Sequence, residues 1–198
     1  MAQALIVIDV QNDFCPGGAL AVPAGDEVVP QINAMMADFD AVILTQDWHP
    51  RDHSSFADNH PGAAPYSVIQ LDYGPQVLWP RHCVQGSAGA AFHPGLDLDR
   101  ADLILRKGYR AAIDSYSAFF ENDQITPTGL HGYLTERGIT RLTLVGLAYD
   151  FCVAFSAIDA AKLGYDTQVV AAASRAIDLN GSLARAREQM WQAGVALR

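Results

Sequence analysis

The amino-acid sequence predicts an α/β fold: a doubly wound, mostly parallel six-stranded sheet with helices on both faces. Two observations predict it. Short apolar runs alternate with amphipathic helical stretches from one end of the chain to the other, the pattern of right-handed βαβ units. The runs are hydrophobic almost without a break, as strands covered on both faces are.

The first strand is expected over 5–10; the apolar run that opens it, Ala4-Leu-Ile-Val-Ile8, is interrupted by Asp9. A helix follows over about 26–38, then a strand over 41–45. Residues 47–100 are rich in His, Pro, Gly and aromatics and show little periodicity. A loop region that long inside a compact domain usually serves function. A third strand is expected over 103–105, a helix over 129–137 and a fourth strand over 142–147. The next helix, 150–163, has apolar residues at 151, 154, 155, 158 and 161, an amphipathic spacing. Gly164 suits its C-cap. A strand over 167–171, a helix over 182–193 and an edge strand over 195–197 complete the series. Without repeats, low-complexity tracts or a linker, 1–198 reads as one domain with a loop-rich insertion at 47–100.

Composition narrows the function. Half of the 198 residues are hydrophobic, 18% are charged and the net charge is −9. That balance is globular and argues against nucleic-acid binding or adhesion to an anionic membrane, both of which need basic patches. The opening apolar run is too short for a signal peptide or a membrane span. Three widely spaced cysteines, at 15, 83 and 152, fit reduced cytoplasmic thiols better than a disulfide framework.

Ligands of open α/β sheets bind beyond the carboxyl ends of the strands. Those ends deliver Asp9, then Gln46-Asp-Trp-His49, then Arg106-Lys-Gly108, then Cys152 just past the fourth strand. A thiol in the first turn of a helix meets free backbone N–H groups and the positive end of the dipole, which favour thiolate. The plainer reading of such a cysteine is a small buried hydrophobe. Its company weighs against that reading. A carboxylate at Asp9 can act as its base, and Lys107 can hold the charges in a partly dry pocket. Cysteine-based acyl transfer is the chemistry this set suggests. Asp47 and His49, two residues apart in extended chain, point the same way. With His82 of Trp79-Pro-Arg-His82 they form a sound set for a divalent ion such as Zn, Fe or Mn. The bland alternative is loop histidines, since five of the six lie between 49 and 93. Cys83 reads as packing and Cys15 as a turn residue. Phe14, Trp48, Trp79, Tyr109 and Tyr116 lie near the expected site in sequence and would suit a flat ring.

Five segments, in order, carry a resemblance: Asp9-Val-Gln-Asn-Asp-Phe14, Thr45-Gln-Asp-Trp-His-Pro50, Trp79-Pro-Arg-His-Cys-Val84, Lys107-Gly108 and Tyr149-Asp-Phe-Cys-Val153. Together they resemble the nicotinamidases (pyrazinamidases) among the isochorismatase-like cysteine hydrolases, over nearly the whole chain. The resemblance implies hydrolysis of nicotinamide to nicotinate and ammonia in NAD recycling. It implies Cys152 as nucleophile, Asp9 as proton shuttle and Lys107 as their electrostatic partner. The N–H groups of Ala148 and Cys152 would form an oxyanion hole, with a cis bond between Leu147 and Ala148. Asp47, His49 and His82 would hold the metal, zinc before iron or manganese, with His53 or Asp58 as candidate further ligands. Phe14, Trp79 and Tyr116 would line the ring pocket, and a homo-oligomer is in keeping with the family. A related cysteine amidohydrolase acting on another small amide is the first rival. A vinyl-ether hydrolase and a catalytically silent binding domain are the others, and the intact Asp9, Lys107 and Cys152 count against both. The stretch 65–74 carries no motif.

Overall fold

The computed structural model describes residues 2–198. Its strands are β1 (Ala2–Ile8), β2 (Ala41–Asp47), β3 (Val68–Leu71), β4 (Gly74–Val77), β5 (Leu103–Lys107), β6 (Ile139–Leu147), β7 (Asp166–Arg175) and β8 (Ala196–Leu197). Six of them form one sheet in the order β5-β2-β1-β6-β7-β8. Every pairing in that sheet is parallel.

The unbroken hydrophobicity of the strands now has a geometric cause. Successive side chains of a strand point to opposite faces. Ala4, Ile6 and Ile8 join one buried cluster with Ile43, Leu142 and Leu144. Leu5 and Val7 join a second with Val42, Leu44 and Val145. The helices are α1 (Val28–Met35), α2 (Leu130–Glu136), α3 (Ala154–Lys162) and α4 (Ser182–Gln192). The first cluster is closed by Leu130 and Leu134 of α2, Ala157 of α3 and Met190 of α4. The second is closed by Val28 and Ile32 of α1, with Leu20 and Leu96 from loops.

Several boundaries differ from the sequence expectation. β1 stops at Ile8 rather than 10 because Asp9 turns into the left-handed region, with φ 48°. The helix expected over 26–38 is three pieces, a 3-10 turn at Gly25–Glu27, α1, and a 3-10 turn at Met36–Asp38. Pro30 lies in the first turn of α1, where its missing N–H costs nothing. The helix expected from 150 starts as a π turn, Tyr149–Val153, and becomes α-helical at Ala154. Two residues beyond the expected ends, β2 and β5 reach Asp47 and Lys107, which pair directly in register. Gly146 has φ 112°, and a Cβ there would collide with the backbone of Ile8. That close approach holds β6 against the end of β1.

The antiparallel hairpin of β3 and β4 is an addition to the expected elements. Pro75 in β4 argues against a strand, yet it is tolerated in a two-stranded ribbon with free edges. Elsewhere 47–100 is tied down by isolated bridges, His49 to Val84 and Phe56 to Trp79 among them. Among the described residues no helix is long and apolar enough to cross a membrane.

Candidate active site

The strand order β5-β2-β1-β6 sets Lys107, Asp47, Asp9 and the turn bearing Cys152 side by side at the carboxyl edge of the sheet. Lys107 is fully buried. Its Nζ lies 2.6 Å from Asp47 Oδ1, 2.8 Å from Asp9 Oδ2 and 2.8 Å from the Ser115 carbonyl. Cys152 Sγ is 3.5 Å from the same nitrogen. Asp9 is fixed at its other oxygen, where Thr45 Oγ1 donates at 2.6 Å. Its Oδ2 faces Lys107 as an ion pair but outside good hydrogen-bond alignment, so that oxygen keeps capacity to accept a further proton.

Burial dominates the proton affinities. It raises the Asp9 carboxyl above its ordinary value, against the lowering pull of Lys107, and Asp47 adds to the rise. Burial also works against the Asp47 carboxylate, but Lys107 and then His49 hold it well below the usual range. Burial would discharge Lys107, and Asp47 and Asp9 together keep it charged well past its ordinary value. Burial pushes the Cys152 thiol well up; Lys107 lowers it, and Asp9 and Asp47 raise it again. The resting group is therefore a thiol. This differs from the expectation from the helix start, a local argument that left out the burial of the thiol and, after it, the carboxylates arriving from β1 and β2. A base must take the proton as the thiol reacts, and a carboxyl raised by burial is better matched to that task than an ordinary one.

Beside this cluster stand Asp47, His49 and His82, buried and with candidate ligand atoms all within 4.8 Å of one another. Asp47 Oδ2 is 3.0 Å from His49 Nε2 and 3.5 Å from His82 Nε2. His49 Nδ1 lies 2.8 Å from the Gly108 carbonyl and His82 Nδ1 2.7 Å from that of Pro80. A carbonyl can only accept, so each Nδ1 carries a proton, and each Nε2, on the side of Asp47, is the ring atom left to bind an ion once it gives up its own proton. That is how imidazoles are oriented as metal ligands. Charge balance agrees. Two buried carboxylates, Asp9 and Asp47, lie against one ammonium, Lys107, and a divalent ion would offset the surplus negative charge. On both counts the residues fit such an ion.

His53 is not brought into this group. Its Nδ1 is 2.7 Å from Ser55 Oγ and its Nε2 3.2 Å from the Ile113 carbonyl. It lies instead with His49 and Asp114, and burial lowers it to about 4, so it stays neutral. Asp58 is half exposed and pairs with Arg81 at 2.8 Å. Cys83 packs in the second core cluster, as its sequence reading suggests. Its backbone does more, because the Cys83 carbonyl accepts the His49 backbone N–H at 3.0 Å.

Gly108 has φ 66°, and a Cβ on it would overlap the His49 ring. Gly108→Ala is therefore expected to displace a ligand and cut bound metal to well below one ion per chain, with the circular dichroism spectrum retained. Elemental analysis of purified variant checks this, and a full complement of metal would refute it.

A narrow slot opens onto Cys152. Phe14, Trp79, Tyr116 and Ala148 line it, together with Asp47 and His82. The structure adds Leu20, Asp114, Phe151 and Ile177. Phe151 stands edge-on to Trp79 at 4.9 Å between ring centroids, and Tyr116 completes the aromatic wall. The place of Phe151 beside the nucleophile is a usable sequence signal; Leu20, Asp114 and Ile177 come from loops without periodicity and offer none. Ala148 directly precedes the π turn, and its bond to Leu147 is cis.

The profile described as Isochorismatase domain matches residues 3–197. The chain belongs to the isochorismatase family. Within this family it is 57% identical to the nicotinamidase of Acinetobacter baylyi over 97% of this chain and 90% of that one. The fold superposes on the structure of an Acinetobacter baumanii nicotinamidase/pyrazinamidase with a TM-score of 0.97. Identity there is 56%, over 98% of this chain and 94% of that one. The pyrazinamidase of Pyrococcus horikoshii, solved in complex with zinc, matches with a TM-score of 0.80 and 33% identity, covering 100% and 99% of the two chains. The six-stranded parallel sheet is the isochorismatase-like fold.

Proposed function

We propose that this chain hydrolyses nicotinamide to nicotinate and ammonia through a thioester on Cys152, returning the pyridine ring to NAD synthesis. The observation that carries the reading is the Asp9–Lys107–Cys152 cluster set beneath an aromatic slot and beside Asp47, His49 and His82. The names of the similar proteins support it. We read 1–198 as one hydrolase domain whose 47–100 segment supplies His49, His82 and Trp79 of the aromatic wall. Three free thiols favour a reducing compartment such as the cytoplasm.

Phe14, Trp79 and Tyr116 hold the flat ring, and the carboxamide lies against Cys152. Asp9 takes the thiol proton as sulfur attacks the carbonyl carbon, with Lys107 holding the charges of both groups. The C–S bond forms and the carbonyl π electrons move to oxygen. The N–H groups of Ala148 and Cys152 receive that oxyanion, and one such donor is typically worth about 3 kcal/mol of barrier. Collapse breaks the C–N bond, and Asp9 returns its proton to the departing nitrogen as ammonia. Water then loses a proton to Asp9 and attacks the thioester carbonyl. The C–S bond breaks, the sulfur regains its proton, and nicotinate leaves. A divalent ion held by Asp47, His49 and His82, zinc in our reading, would supply Lewis-acid anchoring for the ring nitrogen.

The test is ammonia release from nicotinamide by zinc-loaded protein, after chelation, and after zinc is restored. Turnover should vanish on chelation and return with the ion. Absence of turnover in the zinc-loaded sample, with release from a ureido or carbamoyl amide instead, would transfer the reaction to another substrate.

A further inference from the structure

One buried side chain near the cavity has no place in the chemistry above. Gln76, in β4, is 1% exposed and carries no sequence motif. Its Nε2 shares two hydrogens among Asp114 Oδ2 at 2.7 Å, the Val77 carbonyl at 2.7 Å and Tyr116 Oη at 3.0 Å. Its Oε1 accepts from Tyr73 Oη at 2.9 Å and from Asn122 Nδ2 at 3.2 Å. One amide thus ties the β3–β4 hairpin to the 114–122 loop. Two of its partners, Asp114 and Tyr116, form cavity wall. The Tyr116 oxygen also receives the indole N–H of Trp79 at 3.1 Å. Two donors therefore converge on that oxygen, and together they set where the phenol and indole rings stand. Burial, with Asp114 nearby, keeps the Tyr116 hydroxyl protonated.

We infer that Gln76 is a positioning residue for the substrate slot. From the hairpin it fixes Tyr116, and through Tyr116 Trp79, so that the aromatic wall is already at the spacing a flat ring requires. This rests on the proposed function only for the identity of the ring. Gln76 has no hydrogen bond to Asp9, Lys107 or Cys152, so its loss should act on binding and leave the bond-breaking steps alone. A buried polar hub whose partners are all engaged fixes geometry strongly, and removing it strands each partner.

The experiment uses the metal-loaded protein with nicotinamide, and the variants Gln76→Met and Gln76→Glu. Methionine keeps the volume and loses every hydrogen bond. Glutamate keeps the oxygen that serves Tyr73 and Asn122 but sets a second carboxyl oxygen against Asp114 in place of the donor to Tyr116; combined with Asp114→Asn, which removes that repulsion, it carries the test if the methionine variant does not fold. KM should rise about 5- to 30-fold, with kcat within about threefold. Combined with Tyr116→Phe, the effect on KM should be clearly less than the product of the two single effects. The protein has three tryptophans, so an indole ¹⁵N–¹H spectrum resolves Trp79, identified by its loss in Trp79→Phe. That signal should shift in the Gln76 variants while the exposed Trp191 signal stays put. Unchanged KM in a folded variant, a fall in kcat at constant KM, multiplicative effects with Tyr116→Phe, or an unmoved Trp79 signal would each overturn the inference. Wild-type protein that releases no ammonia would instead fail the proposed function, and the indole shift would still decide the role of Gln76.

Discussion

Cys152→Ala is expected to lower ammonia release from nicotinamide by at least about 10⁴-fold, the scale on which removal of a covalent nucleophile acts. In the proposed mechanism the Cys152 sulfur is the atom that bonds to the acyl carbon, and no neighbouring group can take its place. Asp9 and Lys107 are a carboxylate and an ammonium, and Cys15 and Cys83 pack in the second apolar cluster and do not line the cavity. The fold should be nearly untouched. Removing Sγ deletes one 3.5 Å contact to Lys107 but leaves Lys107 paired with Asp9 and Asp47. No buried charge loses its partner, so the change in unfolding free energy should stay within about 1 kcal/mol, as for small buried substitutions. Nicotinamide should still bind, because the slot and the metal ligands are intact. Steady-state ammonia release, denaturant unfolding and calorimetric titration check the three parts. A folded variant with more than about 1% of wild-type turnover would refute the role assigned to the thiol.

Lys107→Met should damage both activity and stability. The ammonium touches two buried carboxylates and the Ser115 carbonyl, and all of these groups are shut off from water. Breaking a buried ion pair by deleting one partner typically costs about 3–5 kcal/mol, or roughly 6–20 °C in Tm for a chain of this size. The loss should depend on pH in a definite sense. Burial already raises Asp9 above its unfolded value, and without Lys107 it rises further. A group with a raised folded value contributes stability that is present below its unfolded pKa and lost as pH rises through the folded one. The stability deficit of the variant should therefore be widest at neutral pH and narrow as pH falls toward the carboxylate range. Unfolding of metal-loaded wild type and variant at pH 7.5 and 5.5 measures this. A deficit independent of pH would show that the lysine serves packing, with little electrostatic role.

Much of the site is legible in the amino-acid sequence, for a physical reason. A strand buried on both faces must be apolar until it ends, so Asp9, Asp47 and Lys107 stand out as polar groups at the close of such runs. The nucleophile stands out similarly, just past Leu147. What escapes is whatever depends on contacts between distant segments. The resemblance makes His53 a candidate further ligand, and only the fold shows that it groups with His49 and Asp114 and meets Ser55 and the Ile113 carbonyl. The helix start argues for a thiolate at Cys152, and burial, aided by the carboxylates of two other strands, reverses that. The β3–β4 hairpin has no alternation to betray it; Val68 is 61% exposed and Pro75 interrupts the pattern. Its anchor is the side chain of Gln76, which no local pattern distinguishes from a surface glutamine.

The central position of β1 also governs how the molecule is made. β1 sits between β2 and β6, and Ile8 finds its partner only at Gly146. During synthesis the proton acceptor leaves the ribosome long before the sulfur it serves. Until β6 emerges, β1 has one open edge, and its apolar residues Leu5 and Val7 lack the neighbours that cover them. Long-range parallel pairing is slow and leaves such edges prone to aggregation. A chain cut short before residue 139 should therefore give insoluble material, with no partial enzyme. The acylating group cannot be armed until the strands that enclose it have all been made.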